Sequence, residues 1–372
     1  MLLILAILFK ISTPYFPQRK FSLSCTGHKA AFKSHGTLSI PPSDSFTFLE
    51  IADVGLDGYL QIKADPSATH ASLSYDLISS APNTISFTSS ANSIKMLAPH
   101  SHECVTAQLT LTLPPLLDEL TISTTTLPIT LDDSISLNHL HASTSHAGVL
   151  SHAKVNLTTI VSLKAGTIGG VYDLGTSLKL ETVAGAITAS IHPLNLTNPS
   201  ATLEAKTVSG SIDLKLELDD NVVPKRNYSV AASTVSGGVR GTYLFGSFAG
   251  FGATSGMIDV KLRPVVIDGS PDREDVLVTA TKNGITGVKF TGGLNGKRVR
   301  GAHKADTGGV EVAYPGDWEG SVQARAKLGR VEVAGVEIDK REWGSIEGHK
   351  GDKERGDIVV GSMVGEVMVR VG

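Results

Sequence analysis

Apolar and polar residues alternate with a period of two in several short stretches of this chain. Leu109, Leu111 and Leu113 alternate with polar residues, and a second such stretch runs from Leu127 to Leu131. Successive side chains of a β-strand point to opposite faces, so this pattern is typical of strands with one buried face. No stretch of ten or more residues has the spacing of an amphipathic helix without an interrupting glycine or proline. The pattern predicts an all-β protein.

A degenerate repeat runs through the second half of the chain: a small residue, a glycine, any residue, then isoleucine or valine, with an apolar residue two positions further on. Its clearest copies are ETVAGAI, KTVSGSI and STVSGGV. The motif glycines are Gly148, Gly166, Gly185, Gly210, Gly237, Gly256, Gly308, Gly329 and Gly365. Six of the eight intervals between them are 18 to 27 residues long. The interval of 52 residues predicts one further copy near Gly284 or Gly287.

Repeats of this length are typical of β-solenoids, in which each coil adds a short strand to a stacked sheet. The residues expected to point inward after each glycine are Ile168, Ile187, Ile212, Val239, Ile258, Val310, Val331 and Val367. We therefore predict a right-handed β-solenoid over residues 147–372, preceded by a Ser/Thr-rich β region over residues 25–146. A β-sandwich of hairpins is the alternative, because regularly spaced turn signals serve both folds.

The interval of 36 residues between Gly329 and Gly365 is longer than one coil needs. It predicts an exposed loop from Glu337 to Asp357. Trp343 lies in this segment and is a candidate for contact with a glycan or a protein, because exposed aromatic residues often mark such contacts.

The repeat, written T-[VS]-[SA]-G-x-[IV], and the tail GSMVGEVMVRVG resemble a family of adhesin-like domains of unknown function, which occurs in bacteria and, as membrane-anchored proteins, in fungi. The resemblance covers residues 147–372. It implies a β-solenoid at the cell surface and brings no catalytic residues with it. Fungal members typically carry an N-terminal transmembrane segment, whereas this chain begins with nine apolar residues, MLLILAILF.

The start of the chain and its modification signals favour a cell-surface protein, membrane-anchored or secreted. Residues 1–24 are predicted to be a signal or a truncated membrane anchor, with a buried strand as the alternative, because spanning a membrane takes roughly 20 apolar residues. Three N-x-[ST] sequences make candidate glycosylation sites of Asn156, Asn195 and Asn227. Cys25 and Cys104 would form a disulfide in an oxidising compartment or remain free thiols.

The composition and motifs of the chain limit the partners and reactions that the sequence predicts. The formal net charge of −3 supplies no basic surface, so no nucleic-acid partner is predicted. The basic run GKRVRGAHK, residues 296–304, is either a local contact for an anion or a charged loop. The sequence contains no G-x-S-x-G motif, and no cofactor, metal site or catalytic residue is predicted.

Stacked repeats would place the residues three positions after the motif glycines in one outward column. Its charged members are Asp213, Arg240, Asp259, Glu311 and Glu332. Neighbouring strands lie about 4.8 Å apart, so Asp213, Arg240 and Asp259 would be side by side. This column is a candidate ligand face, and a solvated face with cross-strand ion pairs is the alternative.

These features predict a non-enzymatic, adhesin-like β-solenoid at the cell surface or secreted. Its strand face would contact a cell-wall or extracellular glycan, or another copy of the chain. Two alternatives remain at this point: a carbohydrate-active β-helix enzyme that uses Asp213 and Asp259, and a structural spacer with no ligand.

Overall fold

A computed structural model of the protein describes residues 32–41, 43–52, 56–80, 85–98, 105–115, 117–218, 222–267 and 274–372. Within these ranges every helix or strand is a β-strand, which confirms the predicted all-β fold. The predicted segment 1–24 and both cysteines, Cys25 and Cys104, lie outside the described residues.

The first fifteen strands are β1 Phe32–Ile40, β2 Ser45–Ala52, β3 Asp57–Ala64, β4 Ala71–Ser79, β5 Ser86–Ser89, β6 Ser93–Ala98, β7 Val105–Leu113, β8 Glu119–Thr124, β9 Ile129–Leu131, β10 Ser136–Thr144, β11 Val149–Ser151, β12 Lys154–Ala165, β13 Ile168–Leu174, β14 Ser177–Ala184 and β15 Ile187–Pro193. The remaining strands are β16 Ser200–Ser209, β17 Ile212–Leu216, β18 Asn227–Ser236, β19 Val239–Phe245, β20 Phe248–Ser255, β21 Ile258–Pro264, β22 Glu274–Asn283, β23 Thr286–Phe290, β24 Arg298–Thr307, β25 Val310–Tyr314, β26 Gly320–Leu328, β27 Val331–Ala334, β28 Glu337–Glu342, β29 Ser345–Lys350, β30 Asp357–Val364 and β31 Val367–Val371.

The strands form two long sheets that face each other across one core. Sheet A has 15 strands in the order β1-β4-β7-β3-β9-β11-β13-β15-β17-β19-β21-β23-β25-β31-β27, and sheet B has 16 in the order β28-β29-β26-β30-β24-β22-β20-β18-β16-β14-β12-β10-β8-β2-β6-β5. From β8 to β25 each even-numbered strand lies in sheet B and the next strand lies in sheet A, and neighbouring coils pair in parallel. Alternation between two parallel sheets defines a β-solenoid and excludes a sandwich of hairpins.

The apolar residues that follow the motif glycines fill the space between the sheets, as predicted. Ile187, Ile212 and Ile258 are fully buried, and so are their counterparts in the neighbouring coils. Val331 is only half-buried because its strand, β27, is the last strand of sheet A. The repeat thus encodes a continuous apolar core, one layer for each coil.

The motif glycine forms the corner between a sheet B strand and the following sheet A strand. At Gly256 φ is +152°, and a Cβ atom would lie 1.7 Å from the carbonyl oxygen of Gly237 in the neighbouring coil. Gly284 has the same conformation, which confirms the coil predicted within the 52-residue interval. Gly148 and Gly166 lack a positive φ, so the glycine corner is confined to the later coils.

The threonine of the T-V-S-G motif has a role that the pattern alone does not reveal. This threonine, or the serine that replaces it in β30, is buried, and its hydroxyl donates to the corner carbonyl of a neighbouring coil. The bonds join Thr182 to Gly166 at 3.0 Å, Thr207 to Gly185 at 3.1 Å, Thr234 to Gly210 at 3.0 Å and Ser362 to Gly308 at 2.9 Å. Each hydroxyl provides a buried carbonyl with a donor and links successive coils.

Coil order in the stack departs from chain order at the C-terminal end. Strands β30 and β31 lie between the β24/β25 coil and the β26/β27 coil, so the last two strands in chain order are one coil away from the end of the stack. Strands β28 and β29 form an antiparallel hairpin that continues sheet B beyond β26. The predicted exposed loop from Glu337 to Asp357 is therefore wrong over much of its length, because this hairpin covers the outer edge of the last coil.

In the N-terminal region, too, the order of the coils in the stack differs from the order of their strands in the chain. Strands β6 and β7 form the outermost coil, and β2 and β3 lie between it and the β8/β9 coil. Strands β1, β4 and β5 pair antiparallel at this end. The Ser/Thr-rich region and the repeat region therefore contribute strands to the same two sheets.

One buried histidine lies among aromatic rings in the later coils. His303 is 2% exposed; its Nδ1 lies 2.9 Å from the Thr279 hydroxyl and its Nε2 lies 2.9 Å from the Tyr314 hydroxyl. The Tyr314 ring also contacts Phe290 and Trp318, with ring centroids 5.0 and 5.8 Å away. Burial lowers the pKa of His303 to about 3, so the imidazole is neutral in the folded protein.

We expect acid to destabilise the protein partly through His303. In the unfolded chain its pKa is 6.5, so the unfolded state takes up a proton as the pH falls below this value while the folded state does not. Between pH 6.5 and 4.5 this costs about 2 kcal/mol of the free energy of unfolding. Urea unfolding at both pH values measures the loss, which should be smaller in His303→Asn. Equal losses in the two proteins would contradict the assignment.

Candidate functional site

The predicted charged column lies on the outer face of sheet A. Asp213 pairs in register with Arg240, and Arg240 pairs with Asp259. Gly287 then separates Asp259 from Glu311. Glu332 does not follow Glu311 directly, as chain order suggested, because Met368 of the inserted strand β31 lies between them.

A second column, which sequence reasoning missed, runs beside the first. Each of its members lies two positions after a member of the first column on the same strand. Its basic members are Lys215, Lys261, Lys289 and Arg370, on the strands that carry Asp213, Asp259, Gly287 and Met368. Lys261 pairs in register with Lys289. The I-D-x-K pattern of β17 and β21 was the available signal, because side chains two residues apart share one face. We call the two columns together the charged strand face.

The charged strand face is largely without internal ion pairs. Glu311 lies 3.6 Å from Arg370, and Glu332 lies 3.7 Å from Arg330. Within the described part of the chain, no ion pair within 4.0 Å involves Asp213, Arg240 or Asp259, although they are direct neighbours. The same holds for Lys215, Lys261 and Lys289.

The basic run at residues 296–304 behaves differently. It belongs to β24 and the turn before it, and three of its cations have acidic partners. Lys297 contacts Asp275, Arg300 lies 3.1 Å from Glu274, and Lys304 lies 3.2 Å from Asp306. Arg298 donates instead to the main-chain carbonyl oxygen of Glu354 at 2.9 Å. The expected charged loop is for the most part a strand, and a local contact with an anion stays a prediction.

An open groove of about 410 Å³ lies on the edge opposite the glycine corners, where sheet A strands lead into sheet B strands. We call it the loop-edge groove. Leu137 and Val155 are among its lining residues but are almost fully buried, so Pro115 and Leu194 supply most of its exposed apolar surface. Its polar lining residues are Asp118, Ser136, Asn138, Lys154, Asn156 and Asp173.

A ladder of side-chain hydrogen bonds forms one side of the groove. The amide of Asn156 donates to the Asn138 Oδ1 at 2.7 Å, and the amide of Asn138 donates to the Asp118 Oδ1 at 2.5 Å. Each residue belongs to a successive coil, so the solenoid repeat itself aligns them. Asp173, 7% exposed, is held by His192, whose Nδ1 lies 3.0 Å from its Oδ1.

The groove residues, apart from the glycosylation candidate Asn156, did not emerge from the sequence. Asp118, Asn138 and Asn156 are separated by 20 and 18 residues, which is the repeat interval. That spacing was the only signal available. It was hidden because the glycine motif is weak in the early coils.

The three glycosylation candidates all lie on the groove's edge of the solenoid, but in different settings. Asn195 is exposed in the segment between β15 and β16. Asn156 and Asn227 are half-buried in strands β12 and β18, and Asn156 is part of the ladder. Trp343 lies between β28 and β29 at the tip of their hairpin, and it is 85% exposed.

The described residues contain neither a metal-binding group nor a membrane-spanning helix. Their histidine, aspartate and glutamate side chains form no group of three that could hold a metal ion. No helix within the described ranges is long and apolar enough to cross a membrane.

Fold and surfaces together define a two-sheet parallel β-solenoid with a charged strand face and a loop-edge groove. No family model and no curated protein matches the chain. Among solved structures, a candidate cell adhesion protein from Clostridium sporogenes matches with 9% identity over 92% of this chain and 100% of that chain, at a TM-score of 0.20. Such a TM-score is too low to transfer a function from one protein to the other.

Proposed function

We propose that the protein is a non-enzymatic, adhesin-like β-solenoid, displayed at the cell surface or secreted, that contacts a partner through the charged strand face. The observation that carries the proposal is the set of neighbouring charges that lack internal partners. Asp213 and Arg240 lie directly opposite each other on adjacent strands, a position in which opposite charges usually attract. Their solvated state leaves both available to an external partner.

The partner that fits the charge pattern best is a second copy of the chain. The charged members of the first column are acidic except for Arg240, and this column lies beside the basic column. Rotation by 180° about an axis parallel to the stack therefore brings each column of one copy opposite the other column of its partner. Asp259 would then face the partner's Lys261, and Lys261 would face the partner's Asp259. This arrangement is an isologous two-fold interface.

The geometry gives less support to an enzyme that uses Asp213 and Asp259. The two carboxylates lie on an open strand face with Arg240 between them. Neither residue lines the loop-edge groove or the smaller cavity beside Tyr243. Catalytic carboxylates ordinarily act in a cleft that excludes water.

Charge reversal tests the proposal. We expect the wild-type protein to dimerise, with association weakened about tenfold between 50 and 500 mM NaCl because exposed charges are screened. Asp259→Lys and Lys261→Asp should each abolish the dimer, because each places like charges opposite one another. The double variant exchanges the two columns locally and should restore it. Sedimentation velocity measures all four proteins.

The matched control is Lys206→Asp, which reverses an exposed charge on sheet B and should leave dimerisation unchanged. A monomeric wild type, or a dimer indifferent to both single reversals, would contradict self-association through this face. A monomer that also binds no glycan or protein partner would favour the structural spacer.

A further inference from the structure

The loop-edge groove has properties that the charged strand face lacks: it is concave and partly apolar. Leu137 and Val155 are neighbours in register on β10 and β12, but at 6% and 2% exposure they belong to the core, and the exposed Pro115 supplies apolar surface instead. Leu194 adds apolar surface from the segment after β15. A ligand here meets both apolar and polar atoms, as in most small-molecule sites.

Hydrogen-bonding atoms at the groove are left without protein partners. The second carboxylate oxygens of Asp118 and Asp173 accept no hydrogen bond from the described residues, and neither does the Asn156 Oδ1. The exposed Lys154 ammonium has no acidic partner there. The groove therefore offers three acceptor oxygens and one cationic donor.

The acceptors are also held in place. The Asp118 carboxylate and the Asn138 and Asn156 amides are fixed by the ladder, and the Asp173 carboxylate is fixed by His192. Side chains that are ordered before binding lose little conformational entropy when a ligand arrives. Carboxylates and amides held at fixed spacing suit a rigid molecule with several hydroxyl groups.

The composition of the groove selects one class of ligand. Three acceptor oxygens require a ligand that donates several hydrogen bonds, which disfavours phosphate and sulfate. The acidic, histidine and amide groups do not assemble into a metal-binding group within the described residues. We infer that the loop-edge groove binds a saccharide, whose hydroxyls donate to Asp118, Asp173 and Asn156 and whose apolar ring face lies against Leu194. This inference goes beyond the proposed function, since it concerns a different surface.

Asn156 is both a groove residue and a glycosylation candidate, so the saccharide has two possible sources. It is either a separate glycan or a glycan attached to Asn156 itself. Full-length protein made in a host without N-glycosylation keeps the groove open. Protein made in a secretory host with Asn156 glycosylated should bind no added saccharide if the attached glycan fills the groove.

The test is a printed array of neutral, amino and acidic oligosaccharides, followed by calorimetric titration of the strongest binder into the unglycosylated protein. We expect Asp118→Ala and Lys154→Ala each to weaken binding by about tenfold, the effect of losing one well-placed hydrogen bond to a charged group. The matched controls are Glu204→Ala and Lys206→Ala, an acid and a lysine on sheet B away from the groove. Thermal unfolding confirms that each variant is folded.

Each outcome decides the inference. Binding weakened about tenfold in both groove variants and unchanged in both controls supports it, as does an unchanged affinity in the Asp259→Lys/Lys261→Asp variant. No binding of wild type to any saccharide on the array overturns it and leaves self-association through the strand face untouched. Binding that is unchanged in both groove variants also overturns it.

Discussion

Gly256→Ala is expected to destabilise the protein by about 3–5 kcal/mol, the combined effect of backbone strain and overpacking in a rigid interior. Gly256 is a corner residue with φ of +152°, a conformation that residues with a Cβ atom rarely adopt. An added methyl group would lie 1.7 Å from the Gly237 carbonyl oxygen. That oxygen belongs to main chain, which cannot rotate away as a flexible side chain can. The two coils would have to separate, and their parallel hydrogen bonds would weaken.

Gly252→Ala is the matched control for this prediction. Gly252 lies in β20, the strand that ends directly before Gly256, without a positive φ, and its added Cβ atom would come no closer than 3.6 Å to a neighbouring atom. We expect its stability to stay within about 0.5 kcal/mol of wild type, as for most surface substitutions. Urea unfolding followed by circular dichroism measures both variants. Similar stabilities for Gly256→Ala and Gly252→Ala would show that the corners tolerate a side chain.

Arg226→Met is expected to lower the free energy of unfolding by roughly 3–5 kcal/mol, about as much as Gly256→Ala. It would remove the hydrogen-bond donors of several buried carbonyls. Arg226 is 2% exposed. Its guanidinium donates to five main-chain carbonyls, those of Leu174, Gly175, Leu194, Asn198 and Ser200, at 2.7 to 3.4 Å. These carbonyls belong to two successive connections on the groove's edge of the solenoid, and Arg226 reaches them from the next connection. One side chain therefore fixes segments that differ in length and sequence.

Two further substitutions make the Arg226 prediction specific. Arg240→Met removes an arginine from the exposed charged strand face and should change the stability by less than about 0.5 kcal/mol. Arg226→Lys should fall between wild type and Arg226→Met, since an ammonium has three donors where a guanidinium has five. If Arg226→Met unfolds at the same urea concentration as Arg240→Met, the proposed role of the five hydrogen bonds is wrong.

The two proposed binding surfaces follow from one property of the fold. A solenoid repeats each outward position at the spacing of its strands, so a charge or amide that recurs in the sequence becomes a straight row in space. The charged strand face arises from recurring Asp and Lys residues on sheet A. The ladder Asp118, Asn138 and Asn156 arises in the same way on the opposite edge from the glycine corners. Because the two surfaces lie on different parts of the solenoid, the proposal for one can fail while the proposal for the other succeeds.

Local pattern determined the all-β class, the repeat and the inward positions. Period-two alternation and recurring glycines depend only on neighbours within one coil, and each coil repeats the same local geometry. Ile187, Ile212 and Ile258 are buried where the pattern placed them. The register of Asp213, Arg240 and Asp259 could also be read from the motif, because one glycine aligns each pair of adjacent strands.

The order of the coils in the stack and the set of residues that meet at the groove are determined only by the tertiary structure. A strand that ends a sheet has an unpaired edge, and the β28–β29 hairpin covers that edge while β30 and β31 insert one coil further in. No local pattern in the sequence indicates which coil lies outermost. The position of Met368 between Glu311 and Glu332 could therefore not be predicted. Likewise Asp118, Asp173 and Lys154 meet only because connections of unequal length converge on one edge, and the contacts between such connections are not encoded in the repeat.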